Sequence, residues 1–242
     1  PDGEAWYMKM DNPAADPRFD PKLTLKKNSD GSWKVTSSKV RMNVFTSEGY
    51  KQNSIKTYNQ KSMATQTYMQ SPSDWKNMEI TGYVKINSGA SDLDLTWYGR
   101  GGKHTGDVPC EGTAYKGSLY KDGRTRVAKE QWHPGGYAFA PTQKPISSIE
   151  GKWIGFKSIQ YNTEVNGQPA VKIENWVDEL NNGSWKKIYG YTDSGGFGNE
   201  GGRCGGSSDQ IISWGGPIVT FRWDGTSNID IKNLSVREIT PP

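Results

Sequence analysis

Cysteine and histidine are nearly absent from this chain, at two each in 242 residues, and hydrophobic residues make up only 33%. So few thiols exclude a disulfide-dense scaffold. Neither Cys110 nor Cys204 has the CxxC partner a zinc site needs, and the nearest histidine, His104, is isolated, so no metal site is expected. No apolar run reaches the roughly 20 residues of a membrane-crossing helix. No amphipathic helix longer than a turn or two stands out. Lysine and arginine occur singly rather than in runs, which argues against a nucleic-acid tail. The glycine-rich stretch 193–206 lacks the Lys-Ser/Thr ending and following helix of a phosphate loop.

What the chain does have is aromatic surface: ten tryptophans and twelve tyrosines, with aromatics at 12% overall. That content excludes a disordered chain and supplies both a core and binding rings. The formal charge of +4 is small and compatible with an acidic partner. Cys110 and Cys204 lie in polar, glycine-rich loops rather than on apolar faces. A disulfide joining those loops is expected, and with it an oxidising compartment. The chain starts at Pro1 without a methionine and is read as a mature secreted, extracellular protein.

Residues 1–22 are rich in Pro and Asp and form an extended entry segment, with a short first strand near Trp6 to Met8. Strands are expected at 32–36 and 39–45, followed by a polar excursion over 46–72 with a short strand near 65–69. Glu79 to Ile86 and Leu93 to Tyr98 alternate cleanly and are predicted to pair as a hairpin through the turn 87–92. The stretch RTRVAKEQWH (124–133) reads as a strand with neither face plainly apolar. Arg124, Arg126, Ala128, Glu130 and Trp132 alternate there with Thr125, Val127, Lys129, Gln131 and His133. A second hairpin joins 153–161 to 171–178 through Asn166-Gly167. In the following strand Trp185, Lys187, Tyr189 and Tyr191 share one face. The apolar phase shifts between Ile231 and Leu234, which predicts a bulge. Many short strands and no helices predict an all-β protein, a single domain over 1–242 built of two packed antiparallel sheets.

On the strand pattern, on WKNMEITGYVKI (75–86) and on RWDGTSNIDIKNLSVREI (222–239), the chain resembles the concanavalin A-like lectin/glucanase superfamily of jelly rolls. That resemblance implies a concave sheet holding a sugar. The ExDxxE arrangement of the glucanases is not found, which lowers the hydrolase reading. Gln131-Trp132-His133 is similar to the QxH pair of the superfamily's alginate and glucuronan lyases, and Tyr189 or Tyr191 to their later tyrosine. Arg41-Met42-Asn43 is only a partial match to their RxExR strand.

The resemblance implies β-elimination on a uronate-containing, acidic polysaccharide. The carboxylate must be neutralised, by Arg124 or Arg126 with Gln131 or Asn43. A base must take the proton, His133 or His104, and a tyrosine delivers one to the leaving oxygen. Further substrate contacts are expected from Arg41, Arg100, Lys129, Tyr83, Trp176, Trp185 and Lys187. No cofactor is required, and loop aspartates leave room for a structural calcium. The expected partner is a polysaccharide met by a monomer, with neither nucleic acid nor membrane. The competing reading is a non-catalytic carbohydrate-binding module or lectin. There Trp176, Trp185, Tyr189 and Tyr83 would stack on sugars while Glu174, Asp178 and Lys187 bond hydroxyls. An adhesive domain would need only the sandwich and its exposed rings.

Overall fold

Period-two alternation broken by Gly, Asn and Asp turns builds sheets and, among the described residues, nothing longer than single helical turns. The computed structural model describes residues 4–46, 75–106 and 109–242. Its strands are β1 (Ala5–Tyr7), β2 (Phe19–Asp20), β3 (Leu25–Lys27), β4 (Trp33–Val35), β5 (Lys39–Phe45), β6 (Met78–Ile86), β7 (Asp94–Gly101), β8 (Ala114–Tyr120), β9 (Thr125–Glu130), β10 (Ala138–Phe139), β11 (Trp153–Val165), β12 (Gln168–Asp178), β13 (Lys186–Asp193), β14 (Ile218–Asp224) and β15 (Ile229–Glu238). The first sheet has the order β13-β12-β11-β6-β15-β4-β3, with β1 on β15. The second has the order β10-β9-β8-β7-β14-β5-β2. All pairings among the described residues are antiparallel, and the two sheets pack as a jelly-roll sandwich, the fold class expected from the pattern.

Inward side chains of both sheets form the main core. Trp97 lies at its centre, 4.8 Å from Phe221 and 5.6 Å from Phe156 between ring centroids. Its indole N–H donates to the Phe156 carbonyl across the sandwich at 3.1 Å. A second cluster holds the stacked pair Trp132 and Trp214 beside the disulfide between Cys110 and Cys204, whose Cα atoms are 5.8 Å apart. The expected disulfide is therefore formed.

The hairpin expected between β6 and β7 is not. β6 pairs with β11 and β15, whereas β7 pairs with β8 and β14, so the turn 87–92 carries the chain from one sheet to the other. Alternation is the same on either side of such a crossing and cannot reveal it. The hairpin β11–β12 forms, with Asn166 and Gly167 both at positive φ. The bulge in β15 also forms, between Lys232 and Ser235. The face expected to carry Trp185, Lys187, Tyr189 and Tyr191 together is split. A register shift at Asn175/Trp176 turns Lys187 outward to Glu174, while Tyr189 and Tyr191 face the interior. From residue 47 onward, the excursion expected over 46–72 lies outside the described residues, as does the strand near 65–69.

Candidate active site

Antiparallel register sets the outward side chains of the second sheet in rows. One row runs Arg41, Arg222, Thr96, Ser118, Arg126; the next runs Asn43, Thr220, Tyr98, Lys116, Ala128. Over them opens a cavity of about 320 Å³, within the range of small-ligand sites. Five cations line it, Lys22, Lys39, Arg41, Lys116 and Arg222, together with His104 and His133. Among the described residues no carboxylate is part of that lining.

Behind the two histidines lies Glu130, the last residue of β9, with its side chain 1% exposed. His133 Nδ1 hydrogen-bonds to Oε1 at 3.1 Å. His104 Nδ1 faces Oε2 at 3.1 Å, and Lys116 Nζ lies 2.7 Å from the same oxygen. Burial pushes this carboxyl up, but His104 and Lys116 outweigh burial and hold it at about 2. Glu130 is therefore ionised at any working pH. An ionised carboxylate can only accept, so the bond to His133 places a proton on that ring's Nδ1 and leaves its Nε2 for the cavity. Burial lowers the pKa of His104 below the ordinary imidazole value despite Glu130, which keeps that ring neutral near pH 7.

The approach of the two histidine-bearing segments depends on Gly112. A Cβ there would sit 2.7 Å from that of His133 and 3.3 Å from the Lys103 carbonyl. His133 is also tied to its neighbour by its own N–H, which donates to the Pro109 carbonyl at 3.2 Å.

Lys116 is held between two rings, 4.3 Å from the centres of both Tyr98 and Tyr137. Across the cavity Arg41 pairs fork to fork with Asp224 at 3.1 and 2.9 Å, and Arg222 reaches the same carboxylate at 2.8 Å. Asp94 also acts on Arg222 from the neighbouring strand, so this wall sets two guanidiniums against two acids. Asn43 Oδ1 accepts from the Thr220 hydroxyl at 2.8 Å, which leaves its amide nitrogen as the donor for a ligand. Arrayed this way, the cavity can neutralise a bound carboxylate and present imidazole nitrogens and phenols for proton transfer.

Of the residues singled out in the sequence, the cavity unites His104, His133, Arg41 and Asn43. Arg124 and Arg126 lie on the same sheet face, beyond its rim. Gln131 does not join them, because β9 ends at Glu130 and the chain turns at Trp132. His133 comes round to the side of Glu130, while Gln131 points inward. There its amide donates to the Ser208 and Gln210 carbonyls and its oxygen accepts the Glu200 N–H. Lys129 is interior as well, paired with Asp193 at 2.6 Å.

Arg100 is also buried, at positive φ, bonding Asn162 at 2.6 Å and the Ile212 carbonyl at 2.8 Å, with burial lowering its pKa to about 10. Tyr189 donates to the Pro141 carbonyl at 2.6 Å, and Tyr191 packs on Phe197. Neither reaches the cavity, because both belong to the first sheet and face inward. Tyr83, Trp176, Trp185 and Lys187 lie on the outer face of that first sheet. There Lys157 covers Trp185 and Lys232 covers Trp153, at 4.3 and 4.5 Å. Sequence reasoning missed Glu130 as the hub, and with it Lys116, Tyr98, Tyr137 and Arg222.

His104, Glu130 and His133 place three metal-ligating atoms within 4.8 Å of one another, a donor set that suits a transition metal. The Lys116 ammonium already supplies the positive charge that Glu130 needs, and a divalent ion would have to displace it. Around Glu130, Oε1 takes the hydrogen bond from His133, while Oε2 meets His104 and Lys116 as ion-pair contacts.

No family model matches the sequence, and no curated protein matches it. Among solved structures the chain is similar to the carbohydrate binding module CBM66 from Bacillus subtilis, at 9% identity over 90% of this chain and 94% of that one, with a TM-score of 0.47. It is similar to a Bacillus licheniformis beta-glucanase at 11% identity over 100% of both chains, with a TM-score of 0.48. A third likeness is to the CBM2 module of the evolved Dit of Lactobacillus casei BL23 phage J-1, at 9% identity over 99% of this chain and 97% of that one, with a TM-score of 0.47.

Proposed function

We propose that this chain is a lyase that cleaves a uronate-containing polysaccharide by β-elimination. The observation that carries the reading is the cavity itself: five cations and two histidines share one lining, and the histidines share one ionised carboxylate behind them. The uronate carboxylate sits against Arg41, Arg222 and the Asn43 amide, which together offset the charge of the enolate-like state. His133, the more open ring at 37% exposure against 18% for His104, removes the proton through Nε2. Glu130 holds that ring in place and stabilises the imidazolium as it forms. A phenol of the cavity, Tyr98 or Tyr137, protonates the leaving oxygen, in place of Tyr189 or Tyr191.

A glycosidase needs a carboxylic acid with a raised pKa to protonate its leaving group. Glu130, held at about 2, cannot serve. The elimination draws its positive charge from side chains and calls for no cofactor. The disulfide fits an oxidising compartment, and we read the protein as secreted and acting on its polymer as a monomer.

The test is to incubate the protein with glucuronan, alginate and a neutral glucan and to follow absorbance in the ultraviolet band of unsaturated uronates. A rise on a uronate polymer, absent in His133→Ala, supports the lyase. Retention on the acidic polymer with no absorbance change on any substrate sinks it and leaves a binding module.

A further inference from the structure

Beyond the cavity, the same sheet face carries Phe139 and two arginines that the elimination chemistry does not use, and they adjoin the cavity at Tyr137. β10 pairs with β9 so that Phe139 stands opposite Ala128, which stands opposite Lys116. Phe139 is therefore two strand spacings from the cavity floor, about 10 Å. It is 51% exposed, and Tyr137, a cavity-lining residue 44% exposed, meets it edge to face at 6.0 Å. Among the described residues large exposed apolar side chains are few, and these two adjoin each other.

The Arg126 guanidinium lies 4.0 Å over the Phe139 ring and 5.4 Å from that of Tyr120. Its Nε is buried with no hydrogen-bond partner among the described residues. Arg124 also lies over Tyr120, at 4.6 Å. A ring pair open to solvent beside an under-bonded, flat guanidinium offers an apolar platform for a sugar face and a fork for a carboxylate.

We propose that Phe139 and Arg126, which adjoin the cavity at Tyr137, form a second uronate subsite, which takes a sugar further along the acidic chain whose reacting unit occupies the cavity. The assignment rests on the reading of the cavity as a uronate site. Charge complementarity selects the occupant: cations recur along one face, on β5 with Lys39 and Arg41, on β14 with Arg222, on β8 with Lys116 and at β9 with Arg126 and Arg124, β7 between β14 and β8 supplying none. The polymer thus crosses the strands rather than running along one of them, and the protein engages a chain longer than the cavity alone can hold.

Calorimetric titration in a His133→Ala background, where the chain survives, tests this with a saturated glucuronate trisaccharide and decasaccharide. Adding Phe139→Ala with Arg126→Gln should weaken the decasaccharide about tenfold, the worth of one stacked and ion-paired unit, and leave the trisaccharide unchanged. Equal decasaccharide affinity with the trisaccharide still bound overturns the subsite and spares the cavity. If neither oligomer binds before Phe139 and Arg126 are changed, the cavity reading fails and the subsite with it. A neutral glucan decamer or a decanucleotide that binds as tightly as the uronate, with the same loss in the double variant, overturns the acidic-sugar assignment.

Discussion

At the scale of single residues, the site turns on Glu130, which binds two imidazoles and one ammonium through two oxygens. Removing the base and removing its orienter should therefore look different. His133→Ala takes away the proton acceptor at a half-open position, so kcat should fall about 10²- to 10⁴-fold with the thermal midpoint close to wild type. Glu130→Gln leaves both rings in the cavity but frees the His133 tautomer and strands Lys116. It should lower kcat and the thermal midpoint together, and unchanged kinetics in that variant would remove the orienting role. Because Lys116 supplies the charge a metal would bring, prolonged chelation followed by desalting should leave activity unchanged; loss on chelation with recovery on zinc would make the triad a metal site. Some of this was legible beforehand: the polarity of both faces of RTRVAKEQWH singled out the strand that ends at Glu130. The pairing of His133 with Glu130 was not, because period-two extrapolation past residue 130 puts His133 on the face of Gln131, and only the turn at Trp132 reverses that.

At the scale of elements, β9 is polar on both sides because each side has its own work. Outward, Arg126 stacks on Phe139 beyond the cavity rim and Glu130 backs the cavity histidines, while Lys129 and, just past the strand, Gln131 hold the carbonyls of Phe197, Ser208 and Gln210 in the glycine-rich loop. Trp132 adds a bond to the Gly201 carbonyl at 2.6 Å, and the disulfide closes the same loop onto the segment carrying Pro109. Cys110→Ser with Cys204→Ser opens a link between residues 94 apart in sequence and should cost about 3–4 kcal/mol of stability, read from urea midpoints. An unmoved midpoint would mean that Lys129, Gln131 and Trp132 suffice to hold the loop. β8 shows why part of the site escaped sequence reading. Tyr115, Gly117 and Leu119 alternate with Lys116, Ser118 and Tyr120, but Gly117 interrupts the apolar face. A side chain there would collide with Asn175 and Ser158 of the opposite sheet. The residue that lets the sheets approach is the one that hides the strand, and Lys116 was hidden along with it.

For the molecule as a whole, the arrangement that poises the cavity also sets its tolerance of acid. Burial lowers His104 below its ordinary 6.5, so as pH falls through that value the unfolded chain takes up a proton that the folded one refuses. Stability is lost from there downward. Glu130 acts in the same direction at lower pH, with 4.5 as its ordinary value and about 2 in the fold. Its contribution is fully present above pH 4.5, amounts to about 3 kcal/mol, and disappears as pH approaches 2. Urea midpoints should therefore decline gently below pH 6.5 and steeply below 4.5. Glu130→Gln should begin from a lower midpoint at pH 7, since Lys116 is then buried without its counter-ion, yet lose less between pH 4.5 and 2. Parallel acid limbs in the two proteins would move the origin of acid sensitivity away from Glu130 and onto other depressed carboxyls, among them Asp224, held down by Arg41 and Arg222, and Asp230, held down by Asn87, Asn28 and Lys34.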